Sequence, residues 1–221
     1  MSVIDQTLIK NTISFVKKTL KNTEGGHDWF HIERVYNTAM HIAKTEEVNL
    51  EIVALGTLLH DIADAKFYDG DESIGPKVAQ EFLESQKVDP TTTDHVINII
   101  KYISFKNSLD ERGEKFTSTE LEVVQDADRL DAIGAIGIAR CFNYGGFKNR
   151  PLYDPSIKPN LNLTKTEYKK AKSHTINHFY EKLLLLKDKM NTATGKKLAE
   201  ERHDFMEMYL EQFYREWNGE R

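Results

Sequence analysis

Cysteine is almost missing from this sequence of 221 residues. The single cysteine, Cys141, has no partner in the chain, which excludes a fold held together by intramolecular disulfides and favours a reducing compartment. It follows the apolar stretch "AIGIAR", so we interpret it as a small buried side chain rather than as a reactive thiol.

Long hydrophobic runs and an excess of basic residues are also missing. No apolar run reaches the roughly 18 residues that span a bilayer, and the first 20 residues lack the apolar core of a signal peptide. The formal net charge of −5 argues against a broad nucleic-acid surface, although it is compatible with a small basic pocket for a phosphorylated metabolite. We therefore expect a cytoplasmic protein with no membrane and no nucleic-acid partner.

Helical periodicity is present along most of the chain, whereas strand alternation is scarce. The composition, 39% hydrophobic and 29% charged, is typical of a soluble globular protein. The pattern predicts an all-α fold, one domain over residues 1–221, with the C-terminal helices of about 164–217 as an elaboration. The predicted helices cover about residues 3–21, 28–45, 50–62, 75–86, 91–104, 119–141, 164–189 and 194–217.

One long irregular stretch, "NYGGFKNRPLYDPSIKPN", falls within residues 142–163. A loop of this length is often functional. It contains the basic residues Lys148 and Arg150 beside aromatic residues, so it is a candidate for closing over a nucleotide. The stretch could equally be a contact arm between subunits or a disordered loop. The sequence therefore leaves a homodimer possible.

The stretch "LLHDIAD" places His60 and Asp61 at the end of an apolar run. A buried carboxylate needs a cation, a donor network or a metal, and a histidine next to a carboxylate is a common ligand pair for divalent ions. Asp64 follows one helical turn later, facing the same site. Two other His-Asp dipeptides, at His27 and His203, lack this apolar run.

Two further segments contain residues of the same types. His27 and His31 in "GHDWFHIERV" are four residues apart, and Arg34 follows one turn later on the same side. "QDADRLDAIGA" contains Asp128 and Asp131, which share one helix face because they are three residues apart. These segments supply candidates for the ligands that His60 and Asp61 alone do not provide.

The order His31, His60-Asp61 and Asp128 resembles the H…HD…D signature of the HD-domain metal-dependent phosphohydrolase superfamily. The flanking helices resemble a bacterial stand-alone subgroup of it. The resemblance covers the metal-binding core, about residues 27–140. It implies an all-helical fold, hydrolysis of phosphate esters or anhydrides, and one divalent metal ion, with His31, His60, Asp61 and Asp128 as its ligands.

The chemistry of the ligands favours Mn²⁺, with Fe²⁺, Co²⁺, Ni²⁺ or Mg²⁺ as alternatives. Asp64 occupies the place of an acidic residue that activates water in some family members, so we expect it to act as a general base. Lys66 and Arg34 are expected to neutralise charge on phosphoryl oxygens. His27 and His95 are candidates for substrate binding.

The favoured hypothesis is attack of a metal-activated water on phosphorus in a nucleotide, with release of pyrophosphate from a nucleoside triphosphate. A nucleoside 5′-monophosphatase and a cyclic-nucleotide phosphodiesterase are alternatives. A nucleotide-binding regulator with little turnover and a diiron oxygenase are alternatives of other classes.

Overall fold

The described residues of the computed structural model group into two compact units. The structure describes residues 4–21, 28–63, 71, 73–103, 116–161 and 173–220. The first unit is Met1–Asp128 and the second is Arg129–Arg221. Whether they form the one domain expected from the sequence stays a prediction.

Helices account for the regular structure throughout these ranges, which contain no strand. The prediction of an all-α fold is confirmed. None of the helices in the described ranges is both long and apolar enough to cross a membrane. The helices are α1 Gln6–Thr19, α2 Trp29–Ile42, α3 Leu50–Leu59, α4 Ile74–Ser85, α5 Pro90–Tyr102, α6 Thr119–Asp131, α7 Gly134–Phe147 and α8 Ala193–Trp217, with a π-helical turn Phe179–Leu183 and a 3₁₀ turn Leu184–Lys189 before α8.

Helix α3 forms the centre of the first unit. Eight of its ten residues are buried, and it packs against α1, α2 and α5. A helix that is apolar on all sides is stable only when other helices surround it. The surrounding helices begin at side-chain caps: Asp5 for α1, Asp28 for α2 and Asp89 for α5 accept hydrogen bonds from backbone N–H groups of the first turn.

The predicted helix over residues 119–141 is wrong as one element, because the structure contains two helices there. Helix α6 ends at Asp131, and α7 begins at Gly134. Ile133 is extended, and Gly134 has φ +72°, a left-handed conformation that glycine adopts without a Cβ clash. The apolar periodicity continues across the break, so the pattern did not reveal it.

The predicted irregular stretch 142–163 begins too early, since α7 continues to Phe147. The predicted helix 164–189 is only partly correct: residues 173–176 are not helical, residues 177–189 are helical but include a π-helical and a 3₁₀ turn, and its first residues lie outside the described ranges. The backbone N–H groups of Thr175 and Ile176 donate to the carbonyls of Pro151 and Leu152. These long-range bonds replace helical ones, and only short helical turns follow. The other six predicted helices agree with the structure to within three residues at each end.

Candidate metal centre

His31 enters the site from the first turn of α2. Asp28 caps this helix by accepting a hydrogen bond from the backbone N–H of His31 at 3.0 Å. The imidazole is 2% exposed, and the next residue, Ile32, is fully buried. The local sequence therefore holds a polar ring against an apolar core, where it needs a polar partner.

His60 follows directly after the last residue of α3, and its orientation is set by a backbone carbonyl. Its Nδ1 lies 2.7 Å from the carbonyl oxygen of Thr57. A carbonyl oxygen only accepts, so Nδ1 carries the proton of this bond. In the neutral ring this leaves the lone pair of Nε2 available, the arrangement found in many metal-ligating histidines.

Asp128 brings a carboxylate to both imidazoles from the last turn of α6. Its Oδ1 lies 3.5 Å from Nε2 of His31 and 3.8 Å from Nε2 of His60. The two rings meet edge to face, with centroids 5.5 Å apart. The three donor atoms lie within 4.8 Å of one another, although the residues are far apart along the chain.

This donor set fits a divalent transition metal in number, type and spacing. Two ligands about 2.1 Å from one ion, at angles of about 90–110°, are roughly 3.0–3.4 Å apart. The separations of 3.5 and 3.8 Å to Asp128 are only a few tenths of an ångström wider. Two imidazoles and one carboxylate leave further coordination positions, as a hydrolytic site requires.

The predicted fourth ligand, Asp61, lies in the turn directly after His60 and is half-buried. The group of three close donor atoms does not include its carboxylate. Its role as a ligand stays a prediction. Three other predicted site residues, His27, Asp64 and Lys66, lie outside the described residues.

The remaining predicted site residues occupy different places in the structure. Arg34 lies on α2 one turn after His31 and is half-buried. His95 lies on α5, where its Nε2 contacts Ser118 Oγ at 2.9 Å and Glu120 Oε2 at 3.5 Å. Through these contacts His95 joins α5 to the beginning of α6. Lys148 and Arg150 belong to the second unit and lie just after α7.

Two arginines not singled out from the sequence bond to the end of α6, Arg140 from α7 and Arg202 from α8. The guanidinium of Arg140 donates to the carboxylate of Asp131 at 2.5 Å and to its backbone carbonyl at 3.1 Å. Arg202 on α8 donates to the backbone carbonyl of Leu130. Both arginines therefore cap the C-terminal end of α6, where carbonyl groups lack helical partners.

Cys141 is half-buried, and its Sγ lies 3.8 Å from the carbonyl oxygen of Thr175. Burial raises the pKa of the Cys141 thiol to about 12, because the thiolate would lose its hydration. The thiol is therefore protonated at neutral pH, in agreement with the interpretation of this residue as unreactive.

The HD domain model matches residues 29–133 of this chain. The chain is similar to an HD-superfamily hydrolase from Bacillus thuringiensis, with 43% identity over 96% of this chain and 98% of that chain and a TM-score of 0.77. It is 37% identical to the Bacillus subtilis protein YpgQ over 93% of this chain and 92% of that protein. A crystal structure of YpgQ in complex with ADP matches with a TM-score of 0.73, 35% identity, and coverage of 94% of this chain and 97% of that chain.

The fold is all-helical over the described residues, and His31, His60 and Asp128 come close together in the order that the resemblance implies. The chain belongs to the HD superfamily, and the resemblance noted in the sequence is confirmed. Its similar solved relatives include HD-superfamily hydrolases of bacteria.

Proposed function

We propose that this protein is a metal-dependent phosphohydrolase that acts on a nucleotide. The observation that supports the proposal most directly is the meeting of His31, His60 and Asp128 at 3.5 to 3.8 Å. Membership of a superfamily with hydrolases among its members supports the reaction class. That a relative covering almost the whole chain binds ADP supports a nucleotide as the ligand.

His31, His60 and Asp128, with Asp61 as a fourth ligand, would hold one divalent ion, with Mn²⁺ favoured over Fe²⁺, Co²⁺, Ni²⁺ and Mg²⁺. Such an ion would polarise a phosphoryl oxygen and lower the pKa of a water molecule. The protein supplies the fixed geometry: the carbonyl of Thr57 holds the ring of His60, and the buried environment of α2 holds His31.

The reaction that we favour is hydrolysis of a nucleoside triphosphate to a monophosphate and pyrophosphate. Water adds to the α-phosphorus, the bond from this phosphorus to the bridging oxygen breaks, and pyrophosphate leaves. Asp64 would accept the proton of the attacking water. Lys66 and Arg34 would stabilise charge on the phosphoryl oxygens, and His27 and His95 would contact the substrate.

A panel of nucleoside triphosphates, 5′-monophosphates and cyclic nucleotides, each with Mn²⁺, Co²⁺, Ni²⁺ and Mg²⁺, tests this proposal. We expect metal-dependent release of pyrophosphate from triphosphates, and a loss of at least about 100-fold in Asp128→Asn, since losing an outer partner of a metal ligand already costs 10- to 100-fold. Release of phosphate from monophosphates, or opening of cyclic nucleotides, would identify one of the two alternative activities instead.

The matched control is Asp94→Asn, which removes an exposed carboxylate from α5 in the same unit and should keep full activity. Equal turnover by Asp128→Asn and the wild type would contradict the proposal. Tight nucleotide binding without any product would contradict it as well, and would favour the regulatory alternative.

A further inference from the structure

The C-terminal turn of α7 exposes two aromatic rings next to each other. Tyr144 is 48% exposed and Phe147 is 62% exposed. Their ring centroids lie 6.5 Å apart, with the ring planes tilted by 39°. Large aromatic rings contribute most to stability when they are buried. A neighbouring pair exposed to solvent therefore indicates a surface that binds another molecule.

Two cationic side chains accompany these rings. The Nζ atom of Lys148 lies 4.8 Å from the ring centroid of Phe147 and 5.6 Å from that of Tyr144. The Cζ atom of Arg150 lies 5.7 Å from the ring centroid of Tyr144. All three distances are typical of cation–π contacts. Within the described ranges, neither cation forms an ion pair with a carboxylate.

We call Tyr144, Phe147, Lys148 and Arg150 the aromatic platform. Its backbone is held in one conformation by the end of α7: the N–H of Lys148 donates to the carbonyl of Tyr144 at 2.9 Å, and the N–H of Arg150 donates to the carbonyl of Gly145 at 2.8 Å. The residue between them, Asn149, has φ +53°. This left-handed residue closes the turn.

A second segment of the same unit, around Thr175, packs against the turn at the end of α7. Any Cβ at Gly145 would overlap the side chain of Thr175, so this side chain packs directly against the backbone of Gly145. The N–H and hydroxyl of Thr175 both donate to the carbonyl of Pro151, at 2.9 and 3.1 Å. These contacts hold the backbone that carries the platform without any ligand, which lowers the entropic cost of binding.

The charge of the surrounding unit indicates which ligand fits. Residues 129–221 contain 17 basic and 12 acidic residues, although the whole chain has a net charge of −5. Flat rings and unpaired cations together suit a ligand with an aromatic ring and negative charge. The rings would stack on a base, and the lysine and arginine would donate to phosphate oxygens.

We propose that the aromatic platform binds the base and a phosphate of a nucleotide, with Phe147 and Tyr144 stacking on the base. The inference rests on the proposed function only in taking a nucleotide as the ligand. It assigns a base-binding role to two residues of the second unit, whereas the candidate metal centre lies in the first.

Calorimetric titration of the full-length protein with ADP in the presence of EDTA tests the platform without a metal contribution. We expect Phe147→Leu to weaken ADP binding about tenfold, because stacking on an aromatic ring is lost while the side chain stays apolar. Phe147→Tyr should bind ADP like the wild type. Lys148→Gln should weaken binding of ADP and reduce its dependence on salt.

The matched control is Phe205→Leu on α8 in the same unit. Phe205 is 47% exposed, as a platform ring is, but its neighbours Asp204 and Glu207 are acidic. This variant should bind ADP like the wild type. Adenosine and inorganic pyrophosphate should each bind more weakly than ADP, since one lacks the charge and the other lacks the base.

The outcomes separate this inference from the proposed function. Asp128-dependent turnover together with unchanged ADP affinity and KM in Phe147→Leu would overturn the platform alone. Loss of ADP binding in Phe147→Leu in a protein with no turnover would support the platform and contradict the phosphohydrolase. A change of oligomeric state in Phe147→Leu with unchanged ADP affinity, or tighter binding of an oligonucleotide than of ADP, would also overturn the platform.

Discussion

The two units of this protein differ most clearly in charge. Residues 1–128 contain 23 acidic and 13 basic residues, whereas residues 129–221 contain 12 acidic and 17 basic residues. The acidic unit contains the candidate metal centre, and the basic unit contains the aromatic platform. A net charge of −5 for the whole chain conceals this difference, so a single overall value is a poor guide to the ligands that each part can bind.

The units differ in regularity as well. The first contains helices that begin at side-chain caps and pack around the buried α3. Each unit contains a non-glycine residue with a positive φ angle, Lys87 in the first and Asn149 in the second, but among the described residues a π-helical and a 3₁₀ turn occur only in the second, before α8. Local caps therefore mark where the helices of the first unit begin, whereas in the second unit Thr175 and Ile176 bond to the distant backbone of Pro151 and Leu152.

The largest effect on the free energy of unfolding is expected from a substitution in the core of the second unit. Phe179 is fully buried and stacks on Tyr209 at a centroid distance of 6.0 Å. We expect Phe179→Ala to lower the free energy of unfolding by about 3–5 kcal/mol, because it leaves a large cavity. Urea unfolding of a Trp29→Phe protein, in which Trp217 of the second unit is the remaining tryptophan, measures this loss.

The comparison variant is Leu58→Ala in the core of the first unit, with an expected loss of about 2–5 kcal/mol. Here the fluorescence of Trp29 is followed in a Trp217→Phe protein. A loss below about 1 kcal/mol for Phe179→Ala would contradict a well-packed second core. If each core variant shifts only the signal of its own unit, the units unfold separately.

A smaller effect on the free energy of unfolding is expected from the half-buried His178 in the second unit. Burial, with the positive charges of Lys182 and Arg150, lowers the pKa of His178 from 6.5 to about 4. Below pH 6.5 the unfolded chain takes up a proton that the folded protein does not. The folded state therefore loses up to about 3 kcal/mol as the pH falls from 6.5 to 4, and none of this contribution is lost above 6.5.

Unfolding free energies measured between pH 7 and pH 4 check this prediction. His178→Gln should flatten the dependence on pH, while His41→Gln, at an exposed position of α2, should leave it in place. If the unfolding free energy of His178→Gln depends on pH as steeply as that of the wild type, other groups cause the dependence.

The smallest expected effect concerns Asn149, whose φ of +53° closes the turn of the platform. Asparagine tolerates this conformation better than other residues with a Cβ, apart from aspartate. Asn149→Ala should therefore lower the free energy of unfolding by about 1 kcal/mol or less, and Asn149→Gly should leave it unchanged or raise it slightly. Thermal unfolding of both variants measures the difference, and equal values would contradict a strained turn.

The sequence by itself determined the helical class and the superfamily, and three of the four predicted ligands, His31, His60 and Asp128, meet at the candidate metal centre. Periodicity and caps such as Asp28 and Asp89 are local, because a helix forms its hydrogen bonds among residues four apart. The order His31, His60-Asp61 and Asp128 was likewise evident from the sequence alone. Asp64 and Lys66, which lie outside the described residues, stay predictions from the sequence.

Only the tertiary structure decided where the apolar pattern stops being helical and which polar groups meet. At the break before Gly134, Arg140 and Arg202 donate to the last carbonyls of α6, and the N–H groups of Thr175 and Ile176 donate to the carbonyls of Pro151 and Leu152. The hydroxyl of Thr175 likewise donates to the carbonyl of Pro151, which lies 24 residues earlier in the chain. These contacts join groups that are far apart in the sequence and are brought together by packing. The spacing of apolar residues along the chain does not predict such contacts.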